Sequence, residues 1–397
     1  MRTREKIFVL FVFLTILAAW FGGKFRQRMD LNPFFIQVLP QSNRFDLLSN
    51  GIYQGVVTDP SEERVDGYVT VGEAMGYGGP LRTAVGLDIT GTILGIAVVD
   101  HKETISFFQK VLRRDVISSI IGKKYSDPLI PGEDIEAVTG ATRTTTALVM
   151  SVSRAGKAIA GRTLGLPVKS EPQKPFRFGV PEIVLMGLFS IGFLAYGKRI
   201  RHKKAIRWIS LILGLLVLGF IYSIPITLVN INALLLGFWP DWQTHFYWFL
   251  LLAGILLPMV ILGKSPYCTH FCPFGAAQEC LGAIGGVKKR LSSPIRHRLR
   301  WLQRFLAWAA LLLALVYRNP SHFSYEVFGT LFNLTGSTFQ FGLLAIVLVA
   351  ALFISRPWCD YLCPVRAVTD YIKMVREWIV TYQSSKDPLK EDLANVR

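Results

Sequence analysis

Four cysteines fall into one phrase that occurs twice, Pro266-Tyr267-Cys268-Thr-His-Phe-Cys272-Pro273-Phe274-Gly-Ala276 and Pro357-Trp358-Cys359-Asp-Tyr-Leu-Cys363-Pro364-Val365-Arg-Ala367. Cysteines four apart share one face of a helical turn, with Cβ atoms about 5–6 Å apart, so both thiolates of a pair can point at one acceptor. Two pairs supply four soft sulfur ligands, a set that suits an iron–sulfur cluster or zinc. The competing reading is a packed, reduced structural corner. Proline after the second cysteine limits how each turn continues. Cys280 lies outside the repeat and reads as a buried structural thiol. A second candidate is the run Asp134-Ile-Glu136-Ala-Val-Thr139-Gly140-Ala141-Thr142-Arg143-Thr144-Thr145-Thr146. Helical periodicity begins just after Thr142. A helix N-terminus offers unpaired N–H groups and partial positive charge, which suit a phosphate. Gly140 permits close backbone approach and Arg143 adds charge, while Thr139 or Thr142 as a simple N-cap is the plain alternative.

The elements that position these groups belong to a membrane chain. Hydrophobic residues make up 51% of the 397 and charged ones only 18%, too apolar for an ordinary globular chain of this length. Six stretches, near 7–23, 180–197, 206–224, 245–262, 302–319 and 339–355, can cross a hydrocarbon core of roughly 30 Å. The first reads as an uncleaved anchor, because Ala18-Ala19-Trp20-Phe21 makes a poor signal-peptide cleavage site. The run from Ile226 to Trp239 lies between two prolines, is short for a crossing, and reads as interfacial or re-entrant.

The net charge of +17 would point to nucleic acid in a soluble protein. Here the basic residues crowd at the N-terminus, at Lys198–Lys204 with Arg207, and from Lys288 to Arg304, which the positive-inside rule assigns to the cytoplasm. No nucleic-acid partner is expected. Six spans leave both termini cytoplasmic, residues 24–179 outside and the cysteine phrases inside, where a reducing compartment disfavours permanent disulfides. The expected division is an anchor at 1–23, an extracytoplasmic domain with linker at 24–179 (core about 44–166), a five-helix membrane domain at 180–370, and a cytoplasmic tail at 371–397 with one short amphipathic helix at 370–382. The outer core reads as α+β, with strands at 67–71, 83–88 and 92–99, a turn at Asp88–Gly91, and helices at 105–112, 115–121 and 144–159.

The order Gly76-Tyr77-Gly78-Gly79-Pro80-Leu81, Val85-Gly86-Leu87-Asp88, Val99-Asp100-His101-Lys102-Glu103-Thr104 and Thr139-Gly140-Ala141-Thr142 resembles the FMN-binding domains of membrane redox complexes. That resemblance implies FMN attached covalently, as a phosphodiester on Thr142, by a flavin transferase. It implies Thr139, Gly140, Ala141 and Arg143 beside the attachment, and Tyr77, Gly78, Glu103 and Thr104 around the isoalloxazine ring. Glu136 stands where relatives often carry Asp, and Thr139 replaces the commoner Ser. Thr144 or Thr145 is the alternative attachment site.

Cysteine phrases after membrane helices, joined to an outer FMN-binding domain, resemble the NosR/NirI family along nearly the whole chain. The shorter PceC-type relatives, associated with reductive dehalogenases, fit better than members that continue into a ferredoxin-like domain, since no cysteine follows Cys363. The resemblance implies an α-helical bundle of about six transmembrane helices, with an extracytoplasmic α+β FMN-binding domain inserted between the first and second, in the bacterial cytoplasmic membrane. Its expected role is to carry electrons from the quinol pool to an exported redox enzyme or its maturation, such as a reductive dehalogenase or nitrous oxide reductase system, as a component rather than a stand-alone enzyme. A membrane redox sensor or regulator is the rival. An ion permease is disfavoured because the spans lack charged residues.

One difficulty follows from this topology. A hydrocarbon core of roughly 30 Å between flavin and cysteines calls for an intermediate carrier or a quinone near the outer leaflet. Bis-histidine haem is disfavoured, because His202, His245, His297 and His322 lie near span ends or in loops. His245, His322, Glu182 and Glu326, near the outer ends, are candidates for quinol proton handling.

Overall fold

The computed structural model describes residues 3–385 apart from 27–29, 60–61, 77, 104, 137, 139–141, 170–175, 177, 196–201, 288–291 and 322. Its first helix, α1 (Thr3–Phe25), is followed by the short α2 (Asn32–Val38), with Pro33 in the first turn, where no intrahelical N–H bond is lost. Five strands then form an antiparallel meander in chain order: β1 (Arg44–Ser49), β2 (Ile52–Asp59), β3 (Glu62–Met75), β4 (Pro80–Leu87) and β5 (Ile93–His101). The stretches expected as strands correspond to parts of β3, β4 and β5, overrunning β4 at Asp88 and β5 at Thr92 by one residue each. β1 and β2 are hidden from a pattern search because Asp46, Gln54 and Gly55 interrupt their apolar residues.

At the expected turn, the Asp88 carboxylate accepts the amides of Thr90 and Thr92, each at 2.8 Å, and Gly91 takes φ +85°. Burial raises the Asp88 carboxyl, but the bonds from Thr92 and Thr90 outweigh it and hold the group below its ordinary value. α3 (Ile105–Arg113) follows β5. The helix expected over 115–121 is instead a run of turns, because Asp115 sits in the left-handed region at φ 49° and interrupts helical continuation.

α4 (Thr142–Arg162) begins two residues before the expected start and packs on one face of the sheet. Its buried residues, including Thr144, Thr145, Leu148, Val152, Ala155 and Ile159, recur at the spacing of one helical face. Strand alternation supplies the opposing surface: Leu81, Val85 and Leu87 of β4 join that core, and Thr83 in the same row meets Ser151 Oγ to Oγ at 2.9 Å. Ala84 points the other way, into a second core where α2 brings Phe35, Val38 and Leu39 against Val69, Ala97 and Val99.

The rest of the chain is a helical bundle: α5 (Val180–Ala195), α6 (Lys203–Leu213) running on as a π-helical stretch Gly214–Ile221, α7 (Leu228–Leu236), α8 (Phe246–Leu262), α9 (Pro273–Ile284), α10 (Ser293–Val316), α11 (Phe328–Phe332), α12 (Thr338–Ala351), α13 (Pro357–Tyr361) and α14 (Pro364–Ser385). Among the described residues three helical stretches are long and apolar enough to cross a membrane: Glu5–Phe25, Lys203–Ile221 and Ser293–Val316. α5, α8 and α12 are apolar but shorter. The 226–239 run contains α7, whose nine residues, closed by a Thr227–Asn230 capping box and by Gly237 at φ +78°, are too few to cross. The expected tail helix is part of the longer α14.

α1 lies against the bundle, with Trp308 Nε1 donating to Thr15 Oγ1 at 3.0 Å and Tyr371 Oη to the Val9 carbonyl at 3.0 Å. The sheet domain also docks on it. Ser321 Oγ donates to the Lys102 carbonyl at 3.0 Å, and Lys110 Nζ to Thr335 Oγ1 at 3.3 Å.

Candidate functional site

Of the residues expected at the flavin, Tyr77, Thr104, Thr139, Gly140 and Ala141 lie outside the described residues. Thr142 opens α4 with an exposed side chain, at the positive end of the helix. Thr144 and Thr145, the alternative attachment positions, are buried at 1% and 0% exposure. Thr144 Oγ1 donates to Glu103 Oε2 at 2.9 Å. Glu103 is itself buried, and its Oε1 lies 1.7 Å from the point where a Cβ on Gly76 would stand. Its carboxylate therefore sits between the first turn of α4, which it bonds, and the turn between β3 and β4, which it packs against. Gly78 belongs to that turn, and a Cβ there would meet the Lys102 carbonyl oxygen at 2.4 Å.

A cavity of about 160 Å³ lies between the sheet domain and the bundle. Met75, Gly76, Gly78, Gly79 and Arg143 line one wall, and Glu182, Tyr222, Pro225, Asn230, His245, Tyr247 and Trp248 are among those lining the other. Bare glycine backbone opposite aromatic rings, with a few polar groups, suits a flat heterocycle with polar edges. Glu182 and His245 thus meet Arg143 at one site, which their separation in sequence conceals. Glu326 does not line it. Both its carboxylate oxygens accept the Leu228 amide, at 2.8 and 2.9 Å, so it anchors a loop. His322 lies outside the described residues.

The four repeat cysteines converge. Cys268 lies in a π-helical turn, Tyr267–Phe271, and Cys359 in α13. Pro273 and Pro364 start α9 and α14, so each second cysteine stands immediately before a helix N-terminus. A Cβ on Gly275 would lie 3.6 Å from Cys272 Cβ and 3.7 Å from Cys359 Sγ, which brings the two halves of the repeat together. Burial pushes the Cys272 and Cys363 thiols up, and the neighbouring Cys359 and Cys268 push both further. Ligation would remove those protons, because metals bind thiolate.

Around the thiols stand residues that the repeat does not announce. Gln278 Nε2 lies 3.2 Å from Cys359 Sγ, and Gln303 Nε2 donates to the Cys363 carbonyl at 2.9 Å. Arg356 Nη1 donates to the Cys268 carbonyl at 3.0 Å while its Nε pairs with Glu279 at 2.6 Å. Glu279 also takes Arg207. Cys280 is half-buried rather than fully enclosed.

Among the described residues no three His, Cys, Asp or Glu side chains are grouped as a single-ion site. Zinc, with Zn–S bonds of about 2.3 Å, would draw four sulfurs to roughly 3.8 Å from one another. An iron–sulfur cluster, with several metal atoms, spreads its thiolates wider. Four soft thiolate donors carried on two turns suit an iron–sulfur cluster.

One loop connects the cavity to these cysteines. Tyr247 Oη donates to the Ile224 carbonyl at 2.9 Å, and two residues on, the Ile226 amide donates to Tyr267 Oη at 3.2 Å. Ile224, Pro225 and Tyr247 line the cavity, and Tyr267 adjoins Cys268. With at most about 3.6 Å per residue, the two hydroxyls are no more than about 17 Å apart. From a loop outside the cavity lining, Tyr325 Oη donates to the Leu362 carbonyl, between Cys359 and Cys363, at 3.0 Å.

Residues 76–157 match the model of an FMN-binding domain, and residues 244–292 and 338–381 match a 4Fe-4S binding domain. Protein NirI of Paracoccus denitrificans is 26% identical over 245 residues, 52% of this chain and 36% of that protein. A component of the ion-translocating oxidoreductase complex of Salmonella typhi is 33% identical over 118 residues, 28% of this chain and 57% of that component. The putative electron transport protein YccM of Escherichia coli is 27% identical over 139 residues, 32% of this chain and 38% of that protein. The chain spans about a third of NirI and somewhat over half of the oxidoreductase component. With its FMN-binding domain, its paired 4Fe-4S segments and its apolar helices, the chain is a NosR/NirI-like FMN-binding membrane protein.

Proposed function

We propose that this chain is an electron-transfer flavoprotein of the cytoplasmic membrane, carrying electrons from the quinol pool to an exported respiratory enzyme or its maturation, with FMN joined covalently to Thr142. The observation that carries this reading is the cavity. It sets the glycine turn and Arg143 opposite Glu182, His245 and Tyr247, and its wall leads through Ile226 to Tyr267 beside the cysteines. Relatives named as part of an oxidoreductase complex and as an electron transport protein support the same direction. The basic stretches support an extracytoplasmic flavin domain with both termini cytoplasmic.

A flavin supplies exchange between two-electron and one-electron chemistry. The chain's residues do the rest. The Thr142 hydroxyl is exposed for attachment by a flavin transferase, and the α4 N-terminus with Arg143 offsets phosphate charge. Glu182 and His245 stand where a quinol, releasing two electrons and two protons, needs acceptors for the protons. His245 Nδ1 lies 2.9 Å from Thr244 Oγ1, which orients the ring. Cys268, Cys272, Cys359 and Cys363 would hold the cluster. The PceC-type resemblance points to a reductive dehalogenase as the exported partner, with a nitrous oxide reductase system as the alternative.

The test uses flavin-loaded full-length protein in membrane vesicles. Reduced short-chain quinone should bleach the flavin absorbance, and His245→Leu with Glu182→Gln should slow the bleaching at least tenfold. Wild-type flavin that no quinol bleaches sinks the quinol reading and leaves the sensor alternative standing.

A further inference from the structure

We propose that Gln278 tunes the cysteine centre by donating a hydrogen bond from its side-chain amide to the Cys359 sulfur, a role that rests on the cysteine turns holding an iron–sulfur cluster. Gln278 lies on α9, six residues after Cys272, yet serves the other half of the repeat. Its Nε2 stands 3.2 Å from Cys359 Sγ and 3.1 Å from the Phe274 carbonyl oxygen, while its Oε1 accepts the Trp358 amide at 2.8 Å. The network fixes which end is which. Turned over, the amide would set its oxygen against two acceptors and its NH2 against the Trp358 N–H.

Burial gives the contact weight. Gln278 is 1% exposed, so water does not compete for the donor. Gln303 provides the contrast. Equally buried at 2%, it reaches the same turn through the carbonyl oxygens of Cys363 at 2.9 Å and Cys359 at 3.3 Å. It holds the backbone, whereas Gln278 touches a ligand atom. Reduction adds negative charge to a cluster and its sulfurs, so an N–H donor at sulfur stabilises the reduced state more than the oxidised one and raises the potential. Because the donor falls on Cys359 alone, that thiolate would be the weaker electron donor of its pair when a cluster is bound. Two turns alike in sequence become unlike as ligands.

The experiment uses full-length protein in detergent, reconstituted anaerobically with iron and sulfide, as wild type, Gln278→Met and Gln303→Met, each labelled with 15N on glutamine side-chain amides. Iron and sulfide contents establish loading, an EPR-monitored titration gives the midpoint potential, and pulsed EPR of the reduced cluster reads coupling to 15N. The expected wild-type result is a 15N coupling. Gln278→Met should lose it and shift the midpoint to a lower potential, while Gln303→Met, which removes no donor at sulfur, keeps the coupling. A loaded wild type without coupling, or Gln278→Met with unchanged midpoint and coupling, overturns the proposal. Should Gln278→Met fail to assemble, the wild-type coupling decides. A wild type that takes up no iron and sulfide overturns the cluster reading and this proposal with it, an outcome distinct from a loaded protein lacking the coupling.

Discussion

Replacing glycine by alanine at a compatible site usually raises stability by about 0.4–1 kcal/mol, because the unfolded chain has fewer conformations to lose. At Gly72 the structure reverses that sign. A Cβ there would stand 2.0 Å from the Ser151 carbonyl oxygen and 2.9 Å from the Ala155 Cβ. The nearer neighbour is backbone, so no rotamer change relieves it, and α4 must retreat by about 1.4 Å to reach the 3.4 Å of ordinary contact. That movement pulls Ser151 from Thr83, now 2.9 Å apart, and loosens Leu148 and Val152 from the sheet. Overpacking costs about 1–3 kcal/mol and the lost buried hydroxyl contact about 1 kcal/mol, so Gly72→Ala should destabilise the domain by roughly 1–3.5 kcal/mol after the unfolded-state gain. Because α4 carries Thr142 at its start, flavin occupancy should fall as well. Urea unfolding of the flavin-loaded protein in detergent, followed by flavin fluorescence, measures the change. Adding Ala155→Gly should recover little, since it leaves the carbonyl clash. A midpoint at or above wild type for Gly72→Ala would refute the reasoning.

Three further outcomes are expected. Thr142→Val should abolish the fluorescent band on a denaturing gel without unfolding the domain, whereas Thr144→Val should keep the band and lose about 1.5–3 kcal/mol, the worth of a hydrogen bond to a buried carboxylate; the reverse pattern would move the attachment site. Asp88 has a folded pKa below its ordinary value, so its contribution is fully present above the unfolded pKa of about 3.9 and is lost as pH falls through the folded value; Asp88→Asn should flatten the acid limb of the stability profile below about pH 4, and an unchanged limb would show that the turn does not titrate this way. Tyr267→Phe removes the acceptor of the buried Ile226 amide and should cost about 1–3 kcal/mol of bundle stability, measured by thermal unfolding in detergent, where an unchanged transition would mean the loop is held by other contacts.

Much of the candidate site was legible from short-range chemistry. The cysteine phrases showed in sequence because ligands carried on one turn have fixed spacing, and Asp88–Gly91 showed because an Asx turn is made by neighbours. Other features left no such trace. Gln278 and Gln303 look like ordinary helical polar residues until α9 and α10 are packed around α13, and Glu326 reads as an interfacial acid until the Leu228 amide is seen against it. The expected helix at 115–121 failed for a related reason: periodicity reports which face is apolar, and cannot register a left-handed Asp115.

The sequence by itself determined the parts: a membrane chain from its apolar runs, an FMN-binding module from its ordered glycine and threonine elements, and four soft ligands from a repeated phrase. These are properties of composition and of residues close in the chain, where covalent geometry sets the distances. Tertiary structure alone decided how the parts meet. It buried Thr144 and Thr145 while leaving Thr142 exposed, faced the glycine turn with Glu182 and His245, and folded the 223–227 and 323–327 loops toward the cysteine turns. Those relations depend on long-range packing, and a loop's depth is set by partners for its backbone N–H and C=O groups, here Tyr247, Tyr267 and Glu326, that lie far away in the chain.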